Sequence, residues 1–128
     1  AVGLAQLPAL ESRVAARRAL HARYRAALPG FAWQEEPAWA QSSRWLSVLL
    51  APEAGPDREA LRLALADAGI ESRPAWKPMH LQPAFRDAPF AGGTAATDVF
   101  ARGLCLPSGS GMDAADAQRV VDVILGCA

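Results

Sequence analysis

The chain has 128 residues, with 13 basic and 13 acidic side chains and no net charge, so no global field draws in nucleic acid or an anionic membrane. Its length fits one domain, long enough to bury a core without metal or disulfide staples. Its two cysteines, Cys105 and Cys127, stand far apart and form no C-x-x-C or Cys/His cluster, which argues against a zinc site and a redox motif and predicts two small buried apolar side chains. No apolar run approaches the roughly 20 residues of a membrane helix. The N-terminus lacks the ordered charged, apolar and cleavage regions of a signal peptide. The expectation is a soluble, cytoplasmic protein with no membrane and no nucleic-acid partner. The sequence starts at Ala1 without an initiator Met, already inside a helical pattern, and reads as a piece of a longer chain.

From Leu4 to Leu28 the residues Leu4, Leu7, Leu10, Val14, Tyr24 and Leu28 recur at three- and four-residue steps until Pro29-Gly30 stops the pattern, which predicts one long amphipathic helix. Pro8 predicts that the regular helix begins or kinks there. Arg13, Arg17, Arg18, Arg23 and Arg25 read as a solvated face of this helix, partly paired with Glu11, and His21 as another face residue. Phe31 to Gln41 has no clear period and reads as a connection with Phe31, Trp33 and Trp39 partly packed.

Trp45 to Leu50 is a short apolar run, sized for a buried strand. Pro56-Asp57 opens a helix through Ala68, with Leu61 and Leu65 on one face and Gly69 where a left-handed cap is wanted. Ile70 to Arg73 is a second expected strand, and a loop runs from Lys77 to Gly93. Thr94 is an N-cap for a brief helix ending at Gly103. Leu104-Cys105-Leu106 reads as a third strand, and Asp113 with Asp116 caps a last helix carrying Val120, Val121, Val123 and Ile124. The fold class is therefore α+β, a small, mostly antiparallel sheet covered by helices, with no repeat and no dividing linker.

The segment Arg73-Pro74-Ala75-Trp76-Lys77-Pro78-Met79-His80 has the composition of a binding loop. Its prolines deny the backbone a helix and hold it extended. Trp76 offers a flat amphipathic face, Arg73 and Lys77 offer anion contacts of different geometry, and His80 can exchange a proton near neutral pH. A packing plug under a loop is the plainer reading of the same residues. No nucleophile with its base, metal cluster or carboxylate pair stands at a recognisable spacing. Gly92-Gly93-Thr94 reads as a flexible turn. Leu106 to Gly111 lacks the phosphate-loop pattern and reads as a turn lining a pocket.

Gly3-Leu4-Ala5-Gln6-Leu7, Arg44-Trp45-Leu46, Gly69-Ile70-Glu71-Ser72-Arg73-Pro74 running into Trp76-Lys77-Pro78-Met79-His80, and Gly103-Leu104-Cys105-Leu106-Pro107-Ser108-Gly109 resemble, in order, the C-terminal part of the DegT/DnrJ/StrS family of pyridoxal-phosphate-dependent sugar aminotransferases. The Arg-Pro-x-Trp-Lys-Pro-Met-His segment is similar to that of the subgroup acting on keto sugars carried on UDP. The resemblance implies the C-terminal small domain of a fold-type-I transferase, spanning 1–128. The large domain with pyridoxal 5'-phosphate and the Schiff-base lysine would lie upstream, so Lys77 is not that lysine, and this piece alone is expected neither to hold the cofactor tightly nor to transaminate. It also implies a homodimer, glutamate as amino donor, and a role in glycan or lipopolysaccharide precursor synthesis. On this mapping His80 contacts the nucleotide-sugar substrate or its phosphates, Trp76 walls the pocket, and Arg73 and Lys77 sit near the diphosphate. The chain departs from the family at Ser43, where Asn is expected.

Two alternatives stand beside this reading. One is a free-standing α+β module binding a small anionic ligand through the proline loop. The other is an interaction domain in which Trp76, Met79 and Phe85 form an apolar patch. The family reading also predicts exposed apolar surface on the first helix and around Trp33 and Trp39.

Overall fold

The computed structural model describes residues 2–127. Pro8 divides the first helical stretch as its ring chemistry requires. Helix α1 (Val2–Gln6) is followed by a 3-10 turn over Leu7–Ala9 and then by α2 (Leu10–Ala27). Strand β1 (Ala32–Trp33), β2 (Ser47–Leu50), α3 (Arg58–Asp67), β3 (Arg73–Pro74), α4 (Ala95–Arg102), β4 (Gly103–Leu106) and α5 (Ala114–Leu125) complete the order, with 3-10 turns at Met79–Leu81 and Pro83–Phe85 inside the long loop.

The sheet order is β1-β2-β4-β3, every neighbouring pair antiparallel. This is the expected α+β layout with one strand more, because β1 is only two residues long and leaves no alternation to read. The second expected strand also shifts: Ile70 is a buried core residue, and pairing starts only at Arg73, opposite Cys105. Pro74 is tolerated because β3 is an edge strand with no further neighbour among the described residues.

Leu49 and Leu104 are directly paired across β2 and β4 and, with Leu106, point into a core closed by Leu20, Tyr24 and Leu28 of the α2 stretch, Leu61 and Leu65 of α3, and Val120, Val121 and Ile124 of α5. Periodicity sets the inward faces of α3, α5 and the C-terminal half of α2, whereas Leu4, Leu7 and Leu10 are more than half exposed, the apolar surface expected on the first helix. Two helix starts follow from caps. Asp57 Oδ1 accepts from Ala60 N at 2.7 Å. Asp113 and Asp116 form a reciprocal capping box at 2.8 and 3.3 Å. Gly69 takes φ +72° after α3, the left-handed stop its position called for. Thr94 stands where a cap was expected, but its backbone is already helical, at φ −92° and ψ −6°, and its hydroxyl makes no cap bond.

On the opposite face, α4 runs into β4 without a linker. A Cβ on Gly103 would lie 2.3 Å from Val99 O and 2.8 Å from Ala75 Cβ, so only glycine permits that approach.

Several expectations need correction. His21 is buried rather than a solvated face residue, because the 32–34 segment folds back over α2 and sets Trp33 edge-on against its ring, centroids 5.4 Å apart. Arg18 pairs with Glu36, not Glu11. Trp39 is 87% exposed, against the partial packing read from its segment and in line with the exposed apolar surface that the family reading expects there, whereas Phe31 is buried and Trp33 half-buried. Cys105 is buried as expected, but Cys127 is only half-buried, near the end of α5.

Candidate functional site

A cleft of about 640 Å³ opens beside β3, with Arg73, Pro74 and Trp76 on one wall and Leu106, Ser108 and Arg119 among the residues facing them. The turn after β4 thus does line a pocket. It is pinned from both sides: Ser108 Oγ accepts from Ser47 N at 2.8 Å and donates to Leu106 O at 2.8 Å, and Tyr24 Oη donates to Pro107 O at 3.0 Å. Burial raises the Tyr24 hydroxyl pKa to about 12, with Asp116 adding to the shift, so this phenol stays a neutral donor at physiological pH.

The structure brings Arg73 and Trp76 to that cleft; Lys77 and His80 do not line it. Arg73 is exposed and its guanidinium is engaged by Glu71 at 2.6 and 2.8 Å. That contact is a solvent-screened pair, which an incoming anion can displace cheaply. Lys77 is exposed on the loop, its carbonyl accepting from Gln82 Nε2 at 3.2 Å. His80 is half-buried. Its Nε2 lies 3.0 Å from Thr97 Oγ1 and its ring centroid 4.1 Å from that of Phe90, so α4 and the loop hold its orientation.

Trp76 is 64% exposed and does not lie loose: the ring of Trp45 sits 5.9 Å away at an interplanar angle of 32°. Trp45 follows Arg44, whose φ of +49° is the left-handed conformation, a cost of about 1–3 kcal/mol for a residue with a Cβ. Arg44 is buried, donating from Nη1 to Gln34 O at 3.0 Å and from Nη2 to Glu36 Oε2 at 2.7 Å. Glu36 also accepts from Arg18 at 2.9 Å and from Ser42 N at 3.0 Å. The Arg18 bond first, then those from Ser42 and Arg44, hold the Glu36 carboxyl down to about 2. The Trp45–Trp76 pair, the Glu36 hub and the Arg119 guanidinium, which donates to Ala68 O beside Gly69, were not legible as parts of one region, because each is joined by long-range contacts. Arg44-Trp45-Leu46 carries only a resemblance on sequence. Ser43 is exposed.

The model of the DegT/DnrJ/EryC1/StrS aminotransferase family matches residues 1–125. The chain belongs to this family. Among its relatives is EpsN of Bacillus subtilis (strain 168), a candidate pyridoxal phosphate-dependent aminotransferase, 40% identical over 131 residues that cover 97% of this chain and 34% of EpsN. A crystal structure of a family aminotransferase from Brucella abortus superposes with a TM-score of 0.84 at 29% identity, over 96% of this chain and 33% of that one. The structure of DesI in the presence of its TDP-sugar product superposes with a TM-score of 0.83 at 26% identity, over 98% and 33%. The small antiparallel sheet with its helices is therefore a shared fold, and the chain spans about a third of the length of these relatives. No helix among the described residues is long and apolar enough to cross a membrane.

Pyridoxal phosphate, the cofactor named for EpsN, requires an amine to hold its aldehyde carbon, a partner for its ring nitrogen and donors for its phosphate. The one lysine of this sequence, Lys77, stands on an exposed loop and does not line the cleft. These residues do not fit a cofactor pocket of their own. What they fit is a wall: an indole, a displaceable guanidinium and a hydroxyl-bearing turn around an open cleft.

Proposed function

We propose that this chain is the C-terminal small domain of a pyridoxal-phosphate-dependent aminotransferase that transfers an amino group, with glutamate as donor, to a keto sugar carried on a nucleoside diphosphate. The rest of that polypeptide supplies the cofactor and its lysine. This part supplies a substrate-facing wall, in a homodimeric, cytoplasmic enzyme of glycan or lipopolysaccharide precursor synthesis. The observation that carries the reading is the placement of Arg73 and Trp76 on one cleft, together with family membership over residues 1–125 and the TDP-sugar product present with DesI.

On this reading Trp76 stacks against a ring of the substrate and excludes water from one side of it. Arg73 exchanges its exposed Glu71 partner for a diphosphate oxygen. Lys77 and His80 meet the phosphates from the loop, His80 donating from Nδ1 while Nε2 accepts from the Thr97 hydroxyl. Burial of the substrate between this wall and the remainder of the enzyme strengthens each of these contacts by lowering the local dielectric.

The test is to express the whole polypeptide that contains this chain and follow its visible cofactor absorbance. Glutamate should bleach the band, and a nucleotide keto sugar should restore it. A polypeptide that binds no cofactor, or whose band does not respond to glutamate, overturns the proposal and favours a free-standing ligand-binding module.

A further inference from the structure

The Trp45–Trp76 pair lies at the meeting point of two segments that share no ladder hydrogen bonds at that place: residues 34–45, which precede β2, and the proline loop after β3. Both indoles are mostly exposed, so burial alone does not fix their mutual geometry. What stands behind Trp45 is a closed polar knot. Arg44 donates back to its own segment at Gln34 O and Glu36, its backbone N–H donates to Ser42 Oγ at 3.1 Å, and Glu36 is tied to Arg18 on α2. The left-handed turn at Arg44 is where the chain changes direction before Trp45, and a strained backbone persists only where its surroundings over-determine it. The guanidinium fork supplies that determination, since a planar, bidentate donor fixes direction as an ammonium does not.

We infer that Arg44 is a positioning residue for substrate binding. Clamped by Gln34 O and Glu36, it aims Trp45 at Trp76 and so holds the indole wall of the cleft at the angle a substrate ring meets. The inference rests on the substrate reading proposed above for its functional half, but the clamp itself is a statement about geometry and is separately testable.

The test uses two readouts on the whole polypeptide. The first is circular dichroism of the coupled indoles, isolated as the difference between the parent and its Trp76→Phe variant, since neighbouring aromatic rings couple according to their distance and mutual angle. Arg44→Lys keeps the charge and loses the fork. Arg44→Gly keeps the left-handed backbone without strain and loses the clamp. Glu36→Gln is the milder variant if either folds poorly. All three should cut the pair signal by about half or more, while Arg62→Ala, which breaks the exposed Glu59 pair on α3, leaves it unchanged. A pair signal retained in both Arg44 variants overturns the inference.

The second readout is steady-state kinetics with a nucleotide keto sugar. Arg44→Lys should raise KM about fivefold with kcat within about twofold, and the rise should disappear in a Trp45→Ala background, because the two changes act through one contact. A KM rise of the same size with Trp45 already removed overturns the positioning role. A lost pair signal with KM unmoved leaves the clamp standing and overturns the substrate role of the indole wall.

Discussion

The two faces of the sheet use apolar residues in opposite ways. On the helix-backed face, Leu49, Leu104 and Leu106 are sealed under α2, α3 and α5, each essentially without solvent contact. At the other side and along the proline loop, Trp39, Trp45, Trp76, Met79 and Phe90 are more than half exposed. The first set supplies the stability of the fold through area removed from water. Within the second set, Trp45 and Trp76 form a tilted indole pair behind which Arg44 is buried, and Phe90 packs on the ring of His80, itself bonded to Thr97. Apolar surface kept available in this way is what a docking or substrate-facing side requires.

The sharpest break of that contrast is a cavity on the sealed face. Leu104→Ala should cost about 2–5 kcal/mol of unfolding free energy in a denaturant titration, and a loss below about 1 kcal/mol would mean the helices collapse onto the gap. Next comes the seam between the faces. Gly103→Ala puts a methyl into the Val99 carbonyl and should cost about 1–3 kcal/mol by overpacking, with the proline loop loosened because Ala75 N donates to Gly103 O.

A smaller, pH-dependent effect comes from the buried ring under the Arg44 knot. His21 has its pKa lowered from 6.5, by burial first and then by Arg44, and neither ring nitrogen has a hydrogen-bond partner among the described residues. Protons therefore bind the unfolded chain before the native one. Stability contributed by the neutral ring is complete above about pH 6.5 and declines as pH falls from there toward the native value. Glu36 works in the same direction lower down, its contribution being lost between its ordinary 4.5 and about 2. Urea titrations across pH should show both declines, and His21→Leu should remove the upper one alone. An upper decline that persists in His21→Leu assigns it to another group.

How far these features were legible in the sequence divides along the same line as the faces. Asp57 and the Asp113/Asp116 box announced their helices because a cap is a contact within four residues, and Leu61 with Leu65 announced an inward face because periodicity is local. The loop at 73–80 stood out by composition, and two of its four candidate residues, Arg73 and Trp76, meet at a cleft. By contrast β1, the burial of His21 and the Arg18–Glu36–Arg44 knot depend on which segments meet after folding. Arg18 and Glu36 are 18 residues apart and Trp45 and Trp76 are 31 apart in sequence, so no local period connects them. The left-handed Arg44 carried no sequence signal, because arginine shows no special preference for that region and is held there by its tertiary partners.

The measurement that tests the central claim most directly is a comparison of Trp76→Ala with the parent in the whole polypeptide, reading both melting temperature and kinetics with a nucleotide keto sugar. Because Trp76 is mostly exposed, its loss should change stability by no more than about 0.5 kcal/mol. KM should nevertheless rise about tenfold, equivalent to about 1.4 kcal/mol of lost ring contact. A substantial fall in melting temperature with KM unchanged would contradict the account and return Trp76 to the role of a packing plug.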